Sequence, residues 1–115
     1  MANKSLDFNT LQRPYLELTM QDTERTVIKV STPTEALIEE FELAVPQLQA
    51  LPKTANTEAV QASYNLAAKI INCNRSFITV TADELREKYK IDLEGLIIFF
   101  SAYMDFISEI YNEKN

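Results

Sequence analysis

Histidine is absent from this 115-residue chain, and glycine and cysteine occur once each. Without histidine the commonest general base near neutral pH and the commonest neutral metal ligand are both missing, which removes most hydrolase constellations. The single glycine, Gly95, cannot build a phosphate-cradling loop, and neither a dinucleotide fingerprint nor a Walker-type motif occurs. Cys73 has no second cysteine to pair with and stands between Asn72 and Asn74, so it reads as a buried structural thiol. Glu39, Glu40 and Glu42 point in different directions on a helix and cannot converge on one ion. The expectation is a chain with no enzyme active site, no cofactor and no metal.

Long apolar runs are missing too. The longest, from Leu96 to Met104, is interrupted by Ser101 and closed by Asp105, far short of the roughly 20 residues that span a bilayer. Asn3, Lys4 and Asp7 occupy the place where a secretory signal carries its apolar stretch, so the cytoplasm is the expected compartment and no membrane partner is expected. Positive charge is in deficit: 11 Lys and Arg stand against 17 Asp and Glu, a formal charge of −6. The densest basic cluster, Arg86, Lys88 and Lys90, is interleaved with Glu84 and Glu87 and reads as a solvated helix face. Phosphate binding needs clustered base, so nucleic acid is not an expected partner.

What is present is ordinary globular composition, 46% hydrophobic and 24% charged, at a length that suits one domain over residues 1–115. Residues 1–13 show no period and read as an irregular arm. Over residues 14–31 the pattern alternates: Leu16, Leu18 and Met20 share one face, a polar break follows at Gln21 to Glu24, and Ile28 and Val30 share a face again. This predicts a β-hairpin whose connection, lacking glycine, is a longer loop around a type I turn.

Residues 32–113 carry the helical part. Thr32-Pro33-Thr34-Glu35 predicts a helix start with Thr32 as cap and Pro33 first in the helix, and Pro46 predicts a kink or break near Val45 before Pro52 ends the segment. Residues 57–74 form a helix whose polar stripe is narrow, hence one buried on most sides. Residues 76–80 are a third strand or an extended connector. Val80 to Leu85 then supplies a capping box with a hydrophobic staple, starting a short helix that runs to about Tyr89. Asp92 can cap the last helix, which is apolar on two faces: Leu93, Leu96, Ile97, Phe100, Met104, Ile107 and Tyr111 on one, and Phe99, Ala102, Tyr103, Phe106 and Ile110 beside it. The fold class is therefore α+β, mainly helical, with an N-terminal hairpin packed on a bundle of about four helices. Two apolar faces in so short a chain predict that one is covered from outside, with Ile98, Phe99, Tyr103, Phe106 and Ile110 as partner-binding residues and a homodimer or higher oligomer as one consequence.

Three phrases carry a family resemblance: Leu18 through Val27, Thr32 through Leu37, and Asp92 through Leu96 continued by Phe99 through Ile107. Over residues 14–111 the chain resembles the tail assembly chaperones of long-tailed phages and prophages. The resemblance implies a small, acidic, noncatalytic protein that coats the tape measure protein while tail tube subunits polymerise around it. It carries over no individual site residue. It also implies a longer frameshifted form, with which Glu113-Lys114-Asn115 is compatible, because a slippery A AAA AAC run can encode it. The rival expectation is a bacterial adaptor or regulatory protein that binds a host protein through its C-terminal helix.

Overall fold

The computed structural model describes residues 13–54 and 56–113. Two strands, β1 (Tyr15–Thr19) and β2 (Val27–Ser31), precede four helices, α1 (Glu35–Thr54), α2 (Thr57–Asn72), α3 (Ala82–Glu87) and α4 (Leu93–Glu113). The α+β, mainly helical class expected from the sequence is the one observed.

The strands pair antiparallel with Leu16 opposite Val30 and Leu18 opposite Ile28, so the alternating apolar residues share one face. Ile28 and Val30 are completely buried beneath the hairpin. A two-stranded ribbon alone is marginal in water, and this one is stabilised by laying that face on α2 and α4. Its loop needs no glycine. Asp22 accepts hydrogen bonds from the Thr26 amide at 2.7 Å and from the Thr26 hydroxyl, and the Arg25 amide donates to the Asp22 carbonyl at 3.1 Å. Arg25 takes the left-handed conformation that closes the loop (φ 51°).

Helix α1 starts two residues later than the sequence motif suggests. The Thr34 hydroxyl, not that of Thr32, accepts the capping bond, from the Leu37 amide at 3.2 Å. Thr32 is held in extended chain instead: the Ser31 amide donates to the Cys73 carbonyl at 2.8 Å, and the Cys73 thiol lies 3.6 Å from the Thr32 carbonyl. Pro33 therefore belongs to the extended segment that precedes the helix. The break allowed for at Pro46 does not occur. The helix runs through it to Thr54. The lost hydrogen bond costs about 3 kcal/mol, and burial of Leu48 and Leu51 beyond the proline offsets it at roughly 1.5–3 kcal/mol each.

Helix α2 is the hub, packed against α1, α3, α4 and β2. Asn56 caps it, accepting from the Ala59 amide at 2.8 Å, and Ala59, Leu66, Ala67, Ile70 and Ile71 are buried along it. After α2 the chain makes a single bridge to the hairpin, Val30 to Asn74, and continues as an extended connector rather than a strand. Asn72 and Asn74 hold that connector. The Asn72 side chain bonds both the amide and the carbonyl of Val80, at 2.7 and 2.9 Å, and the Asn74 side-chain oxygen accepts from the Ser76 amide. Helix α3 has the expected capping box between Thr81 and Glu84, with Val80 and Leu85 both buried. Asp92 caps α4 by accepting from the Gly95 amide at 2.8 Å. A side chain at Gly95 would press on Ile91 at 3.1 Å, so the one glycine sits where the first turn of α4 closes against its preceding residues.

Candidate partner-binding face

The five apolar positions proposed from the sequence fall on different sides of α4. Tyr103 is completely buried, and Phe99 and Phe106 are 8% exposed. These three belong to the chain's own core. Phe99 stacks near Tyr103 with ring centroids 6.0 Å apart, and Tyr103 lies 6.3 Å from Phe106. Ile110 is half-buried and lines a shallow hollow with Pro14, Tyr15 and Phe106 beside the hairpin. Of the five, Ile98 alone is open to solvent, at 62%.

A partly covered apolar surface lies on the side of α4 that faces α1. A groove of about 410 Å³ runs between α1 and α4, lined by Ile38, Phe41, Val45, Met104 and Ile107 with Glu42 and Ser108 at its edge. A second hollow of about 150 Å³ continues it along Leu48, Ile97, Phe100 and Met104, bordered by Gln49 and Ser101. Met104 lines both, so the two form one furrow. Residues 38–45 of α1 face residues 104–108 of α4, and residues 48–49 face 97–104, so the helices flank it antiparallel.

The chain makes this furrow because both helices carry an apolar stripe at three- and four-residue spacing, Ile38, Phe41, Val45 and Leu48 on α1 and Ile97, Phe100, Met104 and Ile107 on α4. Phe41 and Phe100 form the floor where the stripes meet, both buried, with ring centroids 6.3 Å apart. Ile38, Val45, Ile97, Met104 and Ile107 are only half-buried and form the walls. Met104 stands at the centre, where its unbranched thioether chain makes an adaptable wall. The sequence reading missed this side because Ile97, Met104 and Ile107 look like core residues. The flanking serines, Ser101 and Ser108, one helical turn from Ile97 and Met104, were the available sign that this stripe faces out.

The remaining candidates behave as solvated or structural groups. Glu39, Glu40 and Glu42 are exposed, and Glu40 pairs with Lys69 of α2 at 2.8 Å across the opposite side of α1. Arg86 lies over the Tyr64 ring at 4.3 Å, and Lys88 over Tyr89 at 5.2 Å. Cys73 is half-buried at the C-cap of α2, more accessible than the sequence suggests, because the chain turns outward there to reach the connector. Among the described residues no three His, Cys, Asp or Glu side chains stand together in a way that would hold a metal ion, and no helix is long and apolar enough to cross a membrane.

These features define a mainly helical α+β domain with an elongated apolar furrow between α1 and α4. Comparison with protein-family models, with curated proteins and with solved structures finds no match.

Proposed function

We propose that this protein is a noncatalytic tail assembly chaperone of a phage or prophage, which shields an apolar helical stripe of the tape measure protein in the furrow between α1 and α4. The observation that carries the reading is the furrow itself: an elongated apolar surface flanked by two antiparallel helices has the shape that receives a third helix. A tape measure protein is a long helix-rich chain whose apolar stripes have nothing to cover them until the tail tube closes. Each stripe seated in the furrow is removed from water, at about 25 cal/mol per Å² of apolar surface buried. The formal charge of −6 keeps the loaded complex apart from its neighbours.

Co-expression tests this. A tape measure protein from the same genome is expected to stay soluble and to co-elute with this chain when the two are produced together, and to precipitate when produced alone. A tape measure protein that precipitates in both cases overturns the reading. The rival, an adaptor that docks a host protein on the C-terminal helix, draws on the exposure of Ile98. A gene lying between tail tube and tape measure genes speaks for the chaperone, and a stand-alone bacterial operon for the adaptor.

A further inference from the structure

The acidity of this protein is not spread evenly. Helix α1 carries four glutamates and one lysine, and α4 carries four acidic residues and no basic one. The two helices together are therefore at −7, while the rest of the chain, with nine acidic and ten basic residues, is at +1. All of the net negative charge resides on the two helices that flank the furrow.

Within those helices the charges are also placed at the furrow's edges. At about 100° per residue, Glu35, Glu39 and Glu42 fall along the outer side of the α1 stripe, and Glu94 and Asp105 along the outer side of the α4 stripe. All five are exposed, and Glu42 itself lines the furrow. Glu40, the one glutamate of α1 with an ion-pair partner among the described residues, points away from the furrow toward Lys69. Acid thus lines the furrow at Glu42 and lies on the outer flanks of both stripes, beyond Ser101 and Ser108 on α4.

We infer that the occupant of this furrow is a basic amphipathic helix, an apolar stripe at i, i+3 or i+4, and i+7 with Lys or Arg on both flanks. The inference rests on the furrow reading above and adds to it the chemistry of the partner segment. The lined part of α1, residues 38–49, is about 16 Å long, so the furrow receives about three turns of a helix. An apolar stripe of that length buries against Phe41, Phe100 and Met104, and the flanking bases stand opposite Glu35, Glu39, Glu42, Glu94 and Asp105. A second copy of this chain is a poor occupant, because furrow against furrow would set two acidic borders together in a low-dielectric contact. The acidic borders also disfavour anionic membrane surfaces and nucleic acid.

The test uses two synthetic 18-residue peptides with the same leucine stripe, one with lysine and one with glutamate at every flanking position. Binding to the full chain is followed by fluorescence anisotropy at low and moderate salt. The lysine peptide is expected to bind at least about tenfold more tightly than its glutamate twin and to weaken as salt rises. Neutralising the border with Glu35→Gln, Glu39→Gln and Glu42→Gln together is expected to weaken it about tenfold. The control set Glu24→Gln, Glu58→Gln and Glu87→Gln changes net charge equally at exposed sites elsewhere and is expected to cost less than about twofold. Equal losses in the two sets, equal binding of the two peptides, binding of neither, or self-association of the chain through the furrow overturns the inference. Ser101→Trp separates this from failure of the furrow itself, because an indole at that exposed position fills the groove without disturbing the core. If both peptides bind equally and Ser101→Trp abolishes both, the furrow stands and its charge preference falls. If Ser101→Trp leaves binding unchanged, the furrow reading falls as well.

Discussion

The Phe41 ring on α1 and the Tyr103 ring on α4 meet edge to face, with centroids 5.1 Å apart and planes at 83°. This edge-to-face contact joins the two helices beneath the furrow and fixes the spacing of its walls. Such pairs contribute about 0.5–1.5 kcal/mol beyond the area they bury. In a double-mutant cycle of Phe41→Leu and Tyr103→Leu, followed by urea unfolding, a coupling energy in that range is expected. Strict additivity would show that the contact adds nothing beyond burial.

Ile98 and Phe106 lie on the same helix with very different exposure, and charge introduced at each should have different consequences. Phe106→Asp places a carboxylate at an 8% exposed position and is expected to cost at least about 3 kcal/mol or to prevent folding. Ile98→Asp, at a 62% exposed position, should leave thermal stability within about 0.5 kcal/mol. Circular dichroism melts of the two variants check both outcomes.

Phe77 is fully exposed and has a φ of 57°, a conformation that costs a bulky side chain about 1–2 kcal/mol. Hydrogen bonds from the Asn74 side chain to the Ile71 and Ile78 carbonyls, both 2.7 Å, hold the connector in that shape. Phe77→Asn removes no burial and suits a left-handed position, so it should stabilise the fold by about 0.5–1 kcal/mol, raising the melting temperature. An unchanged or lower melting temperature would refute the strain assignment.

Hydrogen bonds from the Thr26 hydroxyl and amide hold the Asp22 carboxyl below its usual pKa of 3.8. A carboxyl with a depressed folded pKa adds stability above its unfolded value and loses it as pH falls through the folded one. Asp22→Asn should therefore lower stability at pH 7 and make little difference near pH 2. Urea midpoints for both proteins at the two pH values measure this, and a difference that does not shrink in acid would contradict it.

Cys73 is half-buried, with its thiol directed at the Thr32 carbonyl. Cys73→Ser places a better donor at the same carbonyl, so the change in stability should stay within about 1 kcal/mol. The native thiol should also react with Ellman's reagent without unfolding. Loss of several kcal/mol, or a thiol inert in the native state, would restore the fully buried reading.

Local chemistry decided much of this molecule from the sequence alone. Alternation in Leu16, Leu18, Ile28 and Val30 specifies a hairpin because strand side chains repeat every second residue. The capping box at Thr81 and Glu84 and the cap at Asp92 specify helix starts because their partners lie three residues away. For α1 the sequence motif predicts a cap at Thr32, whereas the structure has it at Thr34. The choice fell to a distant contact, since the extended chain at Ser31 and Thr32 is held by Cys73. Pro46 is a helix breaker by local rules, and only the burial of Leu48 and Leu51 carries the helix past it. On α4 both apolar stripes satisfy the same helical period, so spacing could not say which one faces inward. The tertiary structure decided that by laying the hairpin, α1 and α2 around Phe99, Tyr103 and Phe106 and leaving Ile97, Met104 and Ile107 at the open seam with α1, because burial depends on neighbours that the period of a single helix does not encode.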